Sequence, residues 1–262
     1  MPLPAVDLLG VDVHAISEVR CVDFIAAELA AGRGGWVVTP NLDHLRRLVR
    51  ESEFRELCAR ADLRVADGMP LVWAARLQRT PLPERVAGSN LIWSLARRSA
   101  REAWRVFLLG GDPGTADGAA EVLRASFPGL VIAGTHCPAP GFERDPARRA
   151  ALIEALARAA PDVVFVALGS PKQERLIDAL RGLHPRAWWL GVGISFSFVT
   201  GEVRRAPRWV QSIGLEWLHR LVQDPRRLFR RYVIDGLPFA LVLLGSCAWR
   251  GLCSPEDRRR SA

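Results

Sequence analysis

The sequence predicts an α/β fold. The expectation is a Rossmann-like, mainly parallel sheet covered by helices on both faces, followed by a C-terminal helical appendage of membrane-docking character. Three observations lead there. Short, uninterrupted apolar runs alternate with segments of helical apolar spacing, the pattern of parallel strands buried on both sides. Each run ends in a polar, Gly/Pro-punctuated loop. Pattern and charge then change together at Arg204. The chain has 262 residues, 49% hydrophobic and 24% charged, with a formal net charge of +8. Residues 204–262 hold 12 Arg against 5 acids, whereas residues 1–203 hold 24 Lys+Arg against 23 Asp+Glu. The division expected is therefore 1–203 as the α/β domain and 204–262 as a basic, amphipathic helical appendage. A nearly neutral body argues against a protein that coats nucleic acid.

Taken in order, Gly35–Thr39 is a β-branched run closed by Pro40, which reads as a strand entering a loop. Asp43–Ala61 has helical spacing through Leu45, Leu48, Val49, Phe54, Leu57 and Cys58. Leu63–Ala66 is a short strand ended by Asp67-Gly68. Leu71–Leu77 and Leu91–Ala100 are helical. Trp104–Leu109 is a buried strand running into Gly110-Gly111-Asp112-Pro113-Gly114, and a helix follows to about Phe127. Leu130–Ala133 is a strand and Asp145–Ala160 an Ala-rich helix. Asp162–Leu168 is a strand leading through Gly169-Ser170-Pro171 into a helix to about Arg181. Ala187–Val192 is the last strand. From Arg204, Trp209, Ile213, Trp217 and Leu221 recur every fourth residue, an amphipathic helix with aromatic anchors. Asp224-Pro225 opens a second, Arg-rich helix. The uncharged run Gly236–Trp249 and Arg258–Arg260 complete the chain.

The N-terminus has neither a basic leader nor a long apolar core of a secretory signal. Cysteines 21, 58, 137, 247 and 253 are odd in number and fit no zinc pattern, so reduced structural cysteines are expected. The run 236–249 is too short to span a bilayer on its own and suits a buried or interfacial helix.

In an open parallel sheet the ligand sits outside the carboxyl ends of the strands, so the loops that follow strands matter most. Thr39-Pro40-Asn41-Leu42-Asp43-His44 offers a helix cap together with clustered polar groups. Asp67 either caps the next helix or serves as a general base toward a hydroxyl nucleophile. Arg85-Val86-Ala87-Gly88-Ser89-Asn90 suits an anion at a helix N-terminus, or is an ordinary start with a solvated Arg. Leu109–Gly114 is a glycine turn that matches no nucleotide fingerprint. Ser170 and Gln173 read as a capping box, with Pro171 at the first helical position, and Lys172 and Gln173 would project near the sheet edge. No paired-carboxylate or metal-ligand motif occurs.

Taken together, TPNLDHL (39–45), ADGMPLVWAARLQRTPLPERVAGSNL (66–91), FLLGGDPG (107–114), PDVVFVALGSPKQE (161–174) and RAPRWVQSIGLEWLHRLVQDPRRLFRRY (205–232) resemble the WecG/TagA/CpsF glycosyltransferases, glycosyltransferase family 26. The resemblance runs from about residue 8 to about 235 and rests on several spaced motifs in order. It implies inverting, metal-independent, cofactor-free transfer of a sugar from a UDP donor to an undecaprenyl-diphosphate-linked saccharide. The donors it leaves open are UDP-N-acetylmannosamine, its uronic acid and UDP-glucose. It implies Asp67 as general base, and Thr39, Asn41, Arg85 and Gln173 in donor or acceptor binding. It further implies that Arg220, Arg227 and Arg230 close over the donor diphosphate. Two positions depart from the family pattern: Ser197 stands where an acid is usual in GAFDF, and Asn90 where Asp is usual in AGSD.

The partners implied are the UDP-sugar, the polyprenyl-diphosphate-linked acceptor and an anionic membrane surface, with no nucleic acid; a homo-oligomer is left open. The location implied is cytoplasmic, peripheral on the inner face of the membrane. Arg204, Arg205, Arg208 and Arg258–Arg260 are expected to meet lipid, beside Trp209, Trp217 and the 236–249 run. The competing reading is a soluble nucleotide-binding Rossmann-like enzyme of other chemistry, against which the missing dinucleotide fingerprint weighs.

Overall fold

In the computed structural model, residues 3–253 are described. The chain opens with a hairpin that the sequence reading had not placed, β1 (Ala5–Leu8) against β2 (Val11–His14). Helix α1 (Glu18–Ala30) follows, capped by the Ser17 hydroxyl, which accepts from the Arg20 amide. The expected alternation then appears. It comprises β3 (Gly35–Val38), α2 (Leu42–Arg50), α3 (Ser52–Ala59), β4 (Leu63–Arg64), α4 (Met69–Leu77), α5 (Gly88–Glu102), β5 (Arg105–Gly110), α6 (Thr115–Ser126) and β6 (Val131–His136). It continues with α7 (Pro146–Ala159), β7 (Val163–Ala167), α8 (Lys172–Leu180), β8 (Trp188–Gly191) and α9 (Ser195–Thr200). Strands β3 to β8 form one parallel sheet in the order β4-β3-β8-β7-β5-β6.

The strands divide their side chains by alternation, as a pleat requires. Trp36, Val38, Phe107, Leu109, Val164, Val166 and Trp189 join one apolar core with residues of the hairpin, α2, α3, α4, α7 and α8. Val37, Val106, Leu108, Val163, Phe165, Trp188 and Leu190 join the other, with α1, α5, α6 and α9. Helices therefore cover both faces, as expected of a parallel sheet.

Two expected helices are divided. The 43–61 segment breaks at Glu51, whose backbone is extended; the Arg55 guanidinium donates to the carbonyls of Leu48 and Val49 that the break leaves open. The 209–221 segment becomes α10 (Arg208–Ser212) and α11 (Glu216–Gln223). Gly214 sits between them at φ +76°, and a Cβ there would lie 2.6 Å from the Trp73 ring, so the turn requires glycine.

Asp224 caps α12 (Pro225–Phe229) by accepting from the Arg227 amide, and the helix continues through a π-helical stretch, Arg230–Gly236, into α13 (Leu237–Leu252). This continuity changes the reading of the apolar run. Pro225–Leu252 is a 28-residue helix, long and apolar enough by length and composition to cross a membrane, and only 22% of its most apolar stretch is buried. One side of α13 nevertheless enters the first core through Phe239, Leu243 and Cys247. At Gly251 the helix approaches α4 so closely that a Cβ would lie 2.1 Å from the Leu77 carbonyl. Arg258–Arg260 lie outside the described residues.

Candidate active site

Backbone hydrogen bonds stitch three loops side by side at the carboxyl edge of the sheet. The Asp67 amide donates to the Pro40 carbonyl at 2.8 Å, and the Val86 amide to the Ala66 carbonyl at 2.8 Å. Gly88, the first residue of α5, lies against the ends of β3 and β8: a Cβ on it would be 3.3 Å from Thr39 Oγ1 and 3.5 Å from the Gly191 carbonyl. The N-terminus of α5, with its positive dipole end, thereby borders the sheet edge beside Asp67. Asn41 lies across from Gly68, and its Oδ1 caps α2 by accepting from the His44 amide at 3.1 Å. The cap expected from this loop is thus Asn41.

Asp67 does not cap α4; Gly68 takes the cap position without a side-chain bond. The carboxyl instead accepts from the Gly88 amide. Its pKa is pushed up to about 6, first by burial, with the Glu216 carboxylate adding to the rise; Arg85, the Gly88 amide and Arg205 pull against it. The same carboxyl therefore exchanges its proton close to neutral pH, as a general base should.

The Ser170/Gln173 capping box is not formed. The Ser170 hydroxyl accepts from Arg47 at 3.2 Å, while Gln173 turns inward and is buried. Its Oε1 accepts from the Gly193 amide at 3.2 Å, and its Nε2 donates to Glu174 Oε1 at 2.9 Å. A Cβ at Gly191 would lie 2.4 Å from that Nε2, so only glycine lets the Gln173 amide reach the end of β8. Behind it, Glu174 and His44 form a buried pair 3.8 Å apart, with burial holding the imidazole below its ordinary pKa against the pull of Glu174.

Arg85 is not a solvated side chain. Its Nη1 donates to Glu216 Oε2 at 2.6 Å and its Nη2 to Gln211 Oε1 at 3.2 Å, both partners coming from the C-terminal segment. Arg205, expected at lipid, belongs to the same cluster: its Nε lies 3.7 Å from Glu216 Oε1 and its charge acts on Asp67. Buried carboxylates draw it inward. Arg220 rests over the Phe198 ring at 5.9 Å. Arg227 and Arg230 are exposed, and Arg227 pairs with Asp224 at 2.7 Å. Thr39, Asn41, Asp67, Arg85 and Gln173 thus share the sheet edge, whereas Arg220 lies half-buried over Phe198 of the body and Arg227 and Arg230 sit on the surface of the appendage. Glu216, Gln211 and Glu174 were not singled out in the sequence, Arg205 was expected at lipid, and His44 entered only as part of the polar loop after β3. Glu216 had one signal: it is an acid in a segment rich in arginine. Ser197 is buried and Asn90 half-buried.

The Glycosyl transferase WecG/TagA/CpsF family model matches residues 6–251. The chain belongs to this family. It is accordingly a glycosyltransferase, an enzyme of the hexosyltransferase type acting in polysaccharide biosynthesis, and that chemistry implies a nucleotide-sugar donor and an acceptor. The match also extends the shared part of this glycosyltransferase past the expected limit near 235, through nearly all of α13.

Proposed function

We propose that the chain transfers a hexose, N-acetylmannosamine, its uronic acid or a related sugar, from a UDP donor to an undecaprenyl-diphosphate-linked saccharide, with inversion and without a metal ion. The observation that carries this reading is Asp67: a half-buried carboxyl with a pKa of about 6, at the carboxyl edge of the sheet, beside a helix N-terminus and an arginine. In an inverting transfer one base accepts the proton of the acceptor hydroxyl as that oxygen attacks the anomeric carbon. The bond to the UDP oxygen breaks on the opposite face. Asp67 is the proton acceptor. The departing diphosphate needs positive charge, which arginine forks and the amides of a helix N-terminus supply. Arg85 and the start of α5 lie closest to Asp67; Arg220, Arg227 and Arg230 would join from the appendage when donor is bound. Thr39, Asn41 and Gln173 offer hydrogen bonds to sugar or nucleotide. Asn41 Oδ1 already caps α2 and both amide atoms of buried Gln173 are engaged, so for Gln173 a substrate contact requires exchange of one of these bonds.

We assign 1–203 to the catalytic α/β domain and 204–262 to an appendage that docks on the inner face of the cell membrane. Exposed apolar side chains support this: Trp209 is 67%, Val222 75%, Leu241 74% and Trp249 69% exposed. Trp217, expected as an anchor, packs edge-on against Tyr232 instead. The test is UDP release. It should depend on a polyprenyl-diphosphate-linked saccharide and persist in chelator. Release that ignores the lipid-linked acceptor, or that stops in chelator, would contradict the reading.

A further inference from the structure

Glu216 stands on α11, yet its carboxylate reaches Arg85 at the carboxyl edge of the sheet. It accepts from Arg85 Nη1 at 2.6 Å and lies 3.7 Å from Arg205 Nε. Gln211 holds the other end of the Arg85 fork and is itself tied to the Ala206 carbonyl at 2.7 Å. The three charged side chains are well shielded, 14% (Arg85), 17% (Glu216) and 23% (Arg205) exposed. Arg205 Nε and Nη2 are buried without a hydrogen-bond partner among the described residues, so its charge is balanced only through the neighbouring carboxylates. Without Glu216, two guanidinium groups would share one shielded site, with Asp67 and, more weakly, Glu18 as the carboxylates left to act on Arg85. Like charges so placed repel strongly in a medium of reduced dielectric, and Arg85 would leave its present position.

We propose that Glu216 is a positioning residue for the transfer: it holds Arg85 beside Asp67 and gathers Arg205 into the same cluster, so that α11 of the appendage completes the catalytic centre. This rests on the reading of Asp67 as base. The groups that act on Asp67 are Arg85, Glu216, Arg205 and the Gly88 amide. Glu216 is the one among them that opposes ionisation, and both arginines favour it. Removing the charge of Glu216 releases Arg85, and because Arg85 acts on Asp67 more strongly than Glu216 does, Asp67 then keeps its proton to higher pH.

Two variants of the full chain separate reach from charge. Glu216→Gln keeps length and loses charge; Glu216→Asp keeps charge and loses reach. Both should lower kcat, with KM for donor changed less, by roughly tenfold to 10²-fold, the scale of a misplaced catalytic group. The acid limb of the pH–rate profile should move above about 6 in Glu216→Gln, as Arg85 is released, and stay nearer to it in Glu216→Asp. Carboxyl-carbon NMR titration of Asp67 should show the same shift without any turnover. Unchanged kcat in both variants, an unmoved Asp67 titration in Glu216→Gln, or loss of the folded state in both would overturn the proposal. Failure of the base reading looks different: Asp67→Asn would then turn over normally while the Asp67 titration still responded to Glu216.

Discussion

Asp67 carries two opposed demands. Its shielded position makes ionisation costly, and the same cost raises its affinity for a proton into the range useful for catalysis. The folded state therefore binds this proton more tightly than the unfolded chain, so its contribution to stability is present at low pH and is lost as pH rises through about 6. Asp67→Asn should remove that pH dependence, measured by thermal unfolding across the window, while lowering turnover by about 10²–10⁴-fold. Gln173 makes a second residue-scale prediction. Gly191→Ala places a methyl group where the amide now lies, and should destabilise the protein by about 1–3 kcal/mol, as overpacking does, with a fall in turnover from the displaced Gln173. Denaturant unfolding and a UDP-release assay check both parts. Asp67, Asn41 and Gln173 could be found in the sequence because each follows a strand. Glu216 and Arg205 could not, because their meeting with Arg85 depends on how α10 and α11 fold back over the body, across more than a hundred residues of chain.

Strands and helices were legible because their signal is periodic: apolar runs of five or six residues and fourfold spacing survive in the sequence whatever their neighbours do. The breaks were not. Glu51 interrupts a continuous apolar face that Arg55 repairs with hydrogen bonds, and Gly214 divides α10 from α11 because Trp73 of another element leaves no room for a side chain. The capping box before α8 failed for a similar reason, since Gln173 has a better partner in the Gly193 amide than in its own helix start. Hairpin β1–β2 has no such apolar run, because Asp7 and Asp12 interrupt Val6, Leu8, Val11 and Val13. Gly214→Ala should strain both φ and packing and lower the unfolding midpoint; it should also loosen Arg85 through Gln211 and Glu216, which flank the turn. By contrast Asn41→Ala should cost about 1 kcal/mol as a lost N-cap, in addition to any loss in substrate affinity, and equilibrium unfolding separates the two effects.

At the scale of the molecule, the contacts that bind the C-terminal segment to the body include Glu216 to Arg85, Arg231 to Asp43 at 3.0 Å, Arg250 to Asp7, and α13 in the core against α4. Its outward side exposes apolar groups among arginines, the composition of an interfacial helix rather than of a purely solvated one. Binding to anionic vesicles should therefore weaken as salt is raised but not vanish, each arginine near the surface contributing about 1 kcal/mol; loss of all binding at moderate salt would show that the apolar side takes no part. Because the same segment supplies Glu216, removing residues 204–262 should abolish turnover even with a soluble acceptor analogue. The central claim is that a sugar leaves a UDP donor for a lipid-linked hydroxyl deprotonated by Asp67. The most direct measurement is acceptor-dependent UDP release by wild type and Asp67→Asn across pH. The wild-type rate should rise through about pH 6 and level off above it, with the variant lower by about 10²-fold or more and without that rise. A variant as active as the wild type, or a wild-type rate flat through pH 6, would contradict the account.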